Sequence, residues 1–160
     1  MEIYLLRHGS AERGQPGSPD SGRALTAEGR CEIQRVMAAA KLARTCPTLI
    51  VSSPYKRAFE AARIAAGVLS YKGEIVVSDA LTPESAARGV WDEIRVHRGE
   101  ESILLVGHEP LFSACTAYLA GCPDLQVEFA KAGLVRIDVE GFNASPRGIL
   151  KWMLTPDLTV

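Results

Sequence analysis

The stretch EIYLLRHG, residues 2–9, carries an apolar run of strand length directly into Arg7, His8 and Gly9. The chain has three histidines, and one stands at the end of what reads as a buried strand. Comparable runs recur at TLIVS (48–52), EIVVS (74–78) and SILLVG (102–107). Segments of helical period lie over 27–44, 55–69, 84–97 and 111–120. Apolar strands alternating with helices predict a layered α/β fold. The near absence of polar alternation within these runs suits a parallel sheet covered on both faces. The closing segments GLVRIDV (133–139) and GILKWML (148–154) alternate in period two around a Gly/Asn/Ser/Pro loop, which predicts an antiparallel hairpin. No repeat or linker divides residues 1–160, so a single domain is expected.

Bulk properties narrow the functional classes. At 160 residues with 47% hydrophobic side chains and a formal net charge of -1, the chain reads as globular. Such a balance gives no general affinity for nucleic acid, and no stretch is long and apolar enough to predict a membrane span. The opening MEIYLLRHG has neither a basic leader nor a small-residue cleavage site, which points to the cytoplasm. Cys31, Cys46, Cys115 and Cys122 form no C-x-x-C pair and have no histidine at zinc-ligand spacing, so buried reduced thiols are expected. RGQPGSPDSGR, residues 13–23, is the one loose stretch and reads as a mobile loop beside whatever the first strand presents.

Ligands of open α/β sheets bind beyond the carboxyl ends of the strands, and three predicted strand ends carry unusual chemistry. The first is Arg7-His8-Gly9. The second is VGHEP (106–110), where the strand runs into Gly107, His108 and Glu109 before Pro110 in the first turn of a helix. The third is LIVSSPYKRAFEAA (49–62), where Ser53 is a natural N-cap, Pro54 suits the first helical position and Arg57 falls one turn in. A guanidinium near a positive helix N-terminus favours an anion, phosphate above all. His97, beside Arg98 in a polar helical segment, reads as a solvated surface residue.

Two arginines beside two histidines disfavour a divalent metal, because guanidinium groups cannot lose their charge. The same charges suit a phosphoryl group. A histidine next to it can attack phosphorus and form a phosphohistidine that water later cleaves. Arg7, Arg57 and His108 would neutralise the equatorial oxygens. Gly9 would let the backbone approach the phosphate closely.

The motifs LLRHG, SSPYKRAFEAA and VGHEP, in that order, resemble the histidine phosphatase superfamily, also called phosphoglycerate mutase-like. The small size and the order of elements are most similar to its SixA-type phosphohistidine phosphatases. RALTAEGR (23–30) also resembles the start of the family's first helix. The resemblance implies a three-layer α/β/α sandwich, mostly parallel in its central sheet. It also implies His8 as nucleophile, Arg7, Arg57 and His108 around the phosphate, and neither metal nor organic cofactor.

Larger members of that superfamily insert a helical subdomain after the third strand, which covers the pocket and carries a glutamate proton donor. Here residues 78–101 suffice for a loop and one helix, so an open pocket is expected. Candidates for the acid are Glu109 and Glu84. Each also has a structural account: Glu109 favours a helix N-terminus, and Glu84 reads as a first-turn helix residue. An open pocket favours a phosphorylated protein as partner, with phosphohistidine implied by the resemblance. A small phosphoester substrate and a non-catalytic phosphate-binding module are the alternatives.

Overall fold

The computed structural model describes residues 1–159. Its strands are β1 (Glu2–Arg7), β2 (Leu49–Ser52), β3 (Ile75–Val77), β4 (Ser102–Gly107), β5 (Leu134–Asp138) and β6 (Ile149–Leu154). Its helices are α1 (Ala27–Leu42), α2 (Lys56–Leu69), α3 (Ala87–Val96) and α4 (Leu111–Leu119), with short 3-10 turns at Asp20–Gly22, Asp79–Leu81 and Pro156–Leu158. One six-stranded sheet has the order β3-β2-β4-β1-β5-β6. The first four strands in that order are mutually parallel. β5 runs antiparallel to β1 and to β6, which gives the expected closing hairpin.

Alternation along the strands builds two cores, one on each face. Ile3 and Leu5 of β1 join Ile103 and Leu105 of β4 against Trp91 and Ile94 of α3 and Phe112 and Leu119 of α4. Tyr4 and Leu6 face the other way, with Leu104 and Val106, against Ile33, Val36 and Met37 of α1 and the alanines of α2. The sequence therefore folds as an α/β/α sandwich. Ala58, Ala61, Ala62 and Ala65 are all buried along α2, and their small side chains let that helix lie close to α1 and the sheet.

Several local expectations need correction. β3 is a three-residue edge strand with Val76 and Val77 exposed, because only β2 pairs with it and no helix covers its outer end. α2 starts at Lys56 with Tyr55 in the N-cap position, so Ser53 is not the cap and Pro54 is not helical. The Ser53 amide still donates to Val106 O at 2.9 Å, which keeps the chain extended there. Residues 82–85 form a turn, not the first turn of α3, because the Thr82 and Ser85 hydroxyls both bond to Asp79 O. Pro110 takes the N-cap position, one residue before α4 begins.

Of the cysteines, only Cys115 is buried, with its thiol pKa pushed up by burial; Cys31, Cys46 and Cys122 are exposed, and all four are free. Cys31 lies off the buried stripe of α1, and Cys46 and Cys122 lie in connections beyond helix ends. His97 is half-buried at the end of α3, where its Nε2 meets Glu93 Oε1 at 3.1 Å.

Candidate active site

β1, β4 and β2 are parallel neighbours, so their carboxyl ends meet at one edge of the sheet. The ladder continues one step past each strand: the His8 amide donates to Gly107 O at 3.1 Å. This register places His8 and His108 side by side, with ring centroids 5.0 Å apart. Arg57, in the first turn of α2, reaches the same point, its Nε 3.1 Å from His8 Nε2. The structure thus brings Arg7, His8, Arg57 and His108 together.

The neighbours of His8 define its proton arrangement. His8 Nδ1 lies 2.7 Å from Gly9 O, which can only accept, so Nδ1 carries the hydrogen. Its Nε2 faces Arg57 Nε, which can only donate, so Nε2 keeps its lone pair. Burial, foremost, drives the His8 pKa down to about 4, the adjacent Gly9 carbonyl opposing and Arg57, Arg7 and Arg23 reinforcing the shift. His8 is therefore neutral at pH 7, with an unprotonated Nε2 that accepts from Arg57.

His108 is buried, and its Nε2 lies 2.8 Å from Ser53 Oγ. That hydroxyl oxygen already accepts from the Tyr55 amide at 3.3 Å, and its proton is available for Nε2. The other ring nitrogen, Nδ1, is buried and has no partner among the described residues. Burial, then His8 and Arg57, lower the His108 pKa to about 3. Arg7 anchors its Nη1 on Phe129 O at 2.5 Å, while its buried Nε also has no partner. Buried polar atoms are nearly always satisfied, which sets these two nitrogens of the His8 neighbourhood apart.

Gly9 and the two carboxylates fare differently. The close approach that requires glycine at position 9 is to α1: a Cβ there would collide with Gly29 O, and a Cβ at Gly29 would collide with Ser10 O. Gly9 acts on His8 through its carbonyl. Glu109 is spent on α4, its Oε1 accepting from the Ser113 amide at 2.7 Å and its Oε2 from the Ser113 hydroxyl. Glu84 is exposed at the rim, where the Tyr55 hydroxyl donates to its carboxylate at 3.2 Å. The Tyr55 ring packs against His108 with centroids 5.1 Å apart and under the Arg57 guanidinium at 5.0 Å.

Three contributors escaped the sequence reading. Ser53 orients His108, Tyr55 walls the site, and Asp20 of the 13–23 loop binds Arg57 Nη2 through Oδ2 at 2.9 Å. The loop is exposed but tied to the site, not detached from it.

The depressed histidine pKa values set a pH dependence of folding. In the unfolded chain a histidine takes up a proton near pH 6.5, whereas folded His8 and His108 refuse it until about 4 and about 3. Their contribution is complete above pH 6.5 and is lost progressively as pH falls below it. Stability from urea unfolding should drop between pH 6.5 and 5, with up to about 1.4 kcal/mol per pH unit from each histidine. The slope should be shallower in His8→Ala; an unchanged slope would refute the buried neutral imidazole.

Two arginines and two histidines gathered at the carboxyl edge of this sandwich define a recognisable class. The family model of the histidine phosphatase superfamily (branch 1) matches residues 3–82. The chain belongs to the histidine phosphatase superfamily. Comparison with curated protein sequences finds no significant match. Among solved structures, the protein histidine phosphatase SixA complexed with tungstate is 23% identical, with a TM-score of 0.87 and 98% of each chain covered. A protein assigned as the phosphohistidine phosphatase SixA of Agrobacterium tumefaciens is 25% identical, with a TM-score of 0.80 over 97% of this chain and 98% of that one. A mycobacterial glucosyl-3-phosphoglycerate phosphatase is 19% identical, with a TM-score of 0.66 over 94% and 96%.

Proposed function

We propose that the protein is a metal-independent phosphatase that removes phosphate from phosphohistidine on a protein, with His8 as nucleophile. The observation that carries this is the unprotonated Nε2 of His8 next to Arg57, in a site that also holds the unpartnered nitrogens of Arg7 and His108. His8 Nε2 forms a bond to phosphorus as the bond from phosphorus to the substrate nitrogen breaks, and the departing imidazole takes a proton from solvent. Arg7, Arg57 and His108 hold the oxygens on which charge spreads. Phosphorylated His8 gains positive character, which the Gly9 carbonyl at Nδ1 stabilises. Water then attacks phosphorus, releasing inorganic phosphate and neutral His8.

The rim supports a protein substrate. The segment between β3 and β4 supplies a short 3-10 turn, Glu84 at the rim and α3, whose Val90, Trp91 and Ile94 are spent on the core and not on a cover over the site. A side-chain phosphate on a bulky partner needs that access, whereas small substrates gain from a lid that excludes water. The similarity to a SixA structure holding tungstate, an oxyanion of phosphate-like shape, fits the same reading. No helix among the described residues is long and apolar enough to cross a membrane. The reading places the work in the cytoplasm.

Positive charge that a divalent ion brings to other phosphoryl-transfer sites comes here from Arg7 and Arg57. A phosphohistidine-bearing protein should therefore lose its phosphate in the presence of chelator, and tungstate or vanadate should block the release. Activity lost on dialysis against chelator and restored by a divalent ion would overturn metal independence. Turnover confined to small phosphoesters would move the substrate to the alternative class.

A further inference from the structure

Arg57 is buried, yet its guanidinium is held from outside by an exposed residue. Its Nε donates to His8 Nε2 at 3.1 Å, its Nη1 to the main-chain oxygen of Asp20 at 2.9 Å, and its Nη2 to Asp20 Oδ2 at 2.9 Å. A guanidinium presents five N–H bonds in one rigid plane. Two acceptors from one residue, one on each terminal nitrogen, occupy its outer edge. The side edge, made of Nε and the second hydrogen of Nη2, stays turned toward His8. A phosphoryl oxygen arriving at His8 Nε2 would meet that side edge, so it need not displace the carboxylate.

Asp20 is fixed in turn. Its Oδ1 accepts from Arg23 Nε at 2.6 Å, and Arg23 Nη1 donates to Glu12 O at 2.9 Å. The loop has other anchors: the Glu12 amide donates to Ala24 O at 2.9 Å, and Ala11 pairs with Leu25. The Arg23–Asp20 pair is exposed and contributes little to folding, so its significance lies in holding the carboxylate that meets Arg57.

We infer that Asp20 is a positioning residue: its carboxylate and carbonyl clamp the outer edge of Arg57 and thereby aim the side edge at the phosphoryl group on His8, with Arg23 holding Asp20 in place. This rests on the reading of His8 as nucleophile. Donors fixed before reaction cost no reorganisation as charge develops, so the clamp acts on the transition state more than on substrate binding.

The test compares wild type, Asp20→Ala and Asp20→Asn. Asparagine keeps an oxygen that can accept from Nη2. On an aryl phosphate, Asp20→Ala should lower kcat about 10- to 100-fold while changing KM much less, and Asp20→Asn should recover most of the loss. Inhibition by vanadate, which can adopt the five-coordinate geometry of the transition state, should weaken with kcat. Competitive inhibition by inorganic phosphate should follow KM. A second readout does not need turnover: the Arg57 Nε–H resonance, assigned by its loss in Arg57→Lys, should be slowly exchanging in wild type and Asp20→Asn but broadened in Asp20→Ala. Unchanged kcat in Asp20→Ala, tighter vanadate binding, or an asparagine variant as slow as alanine would each overturn the inference. Wild-type protein inactive on every phosphorylated substrate, with the Arg57 resonance behaving as described, would refute the phosphatase reading and leave the clamp.

Discussion

Replacing His8 with alanine should lower turnover of an aryl phosphate by on the order of 1000-fold or more, the scale of losing a covalent nucleophile. The fold should survive, because His8 lies beyond β1 at the edge of the core and is only half-buried. Rapid quench into alkali after mixing with labelled substrate should trap acid-labile phosphate on His8. A rival deserves exclusion, since Ser53 Oγ lies 2.8 Å from His108 Nε2 and a serine paired with a histidine is a familiar nucleophile. Ser53 is fully buried, however, and its oxygen is engaged by both the Tyr55 amide and His108, so it is not exposed to an incoming substrate. Ser53→Ala should accordingly cost far less than His8→Ala, within about 10-fold. Label on Ser53, or on a cysteine, would end the assignment of His8.

The parts of this site visible in the sequence are those that sheet geometry alone brings together. Arg7 and His8 end one strand, His108 another, and Arg57 opens the helix after a third; once the strands are parallel, their carboxyl ends have to meet. Pairing order is not legible in a run such as EIVVS, and only the folded sheet makes β3 an edge strand with Val76 and Val77 exposed. Asp20 was hidden for a different reason. It lies 37 residues from Arg57 in a loop without periodicity, and only the folded path of that loop makes them neighbours. Ser53 was seen but misread. A serine before proline and a helical run has the pattern of an N-cap, yet one more ladder bond keeps it extended and turns its hydroxyl to His108. Glu109 shows the converse: its contacts with Ser113 at the start of α4 fit the sequence reading of a residue that favours a helix N-terminus.

The site should prefer a phosphorus–nitrogen bond to an alkyl phosphate by roughly 100-fold or more in kcat/KM, the contribution a general acid can make. An alkoxide is a poor leaving group and needs a proton in the transition state; a protonated imidazole leaves without one, and in an open site bulk water can supply that proton beforehand. The two carboxylates proposed from sequence are both otherwise engaged. Both oxygens of Glu109 accept from Ser113, so its proton would come at the expense of the N-terminus of α4. Glu84 accepts from Tyr55 at the exposed rim, where it can steer a substrate but is not held against a leaving group. Glu109→Gln and Glu84→Gln should therefore each slow the phosphohistidine reaction by less than about 10-fold, well short of the loss of a working acid. The measurement is kcat/KM for wild type and both variants on a phosphohistidine protein, an aryl phosphate and an alkyl phosphate. If wild type handled the alkyl phosphate as efficiently as the phosphohistidine protein, and one substitution abolished that activity, the proton donor would be identified and the phosphohistidine preference overturned together. The opposite result, aryl phosphate and phosphohistidine turned over well while the alkyl ester is ignored by all three proteins, follows from a site whose nucleophile and phosphate clamp are complete and whose leaving group must depart unaided.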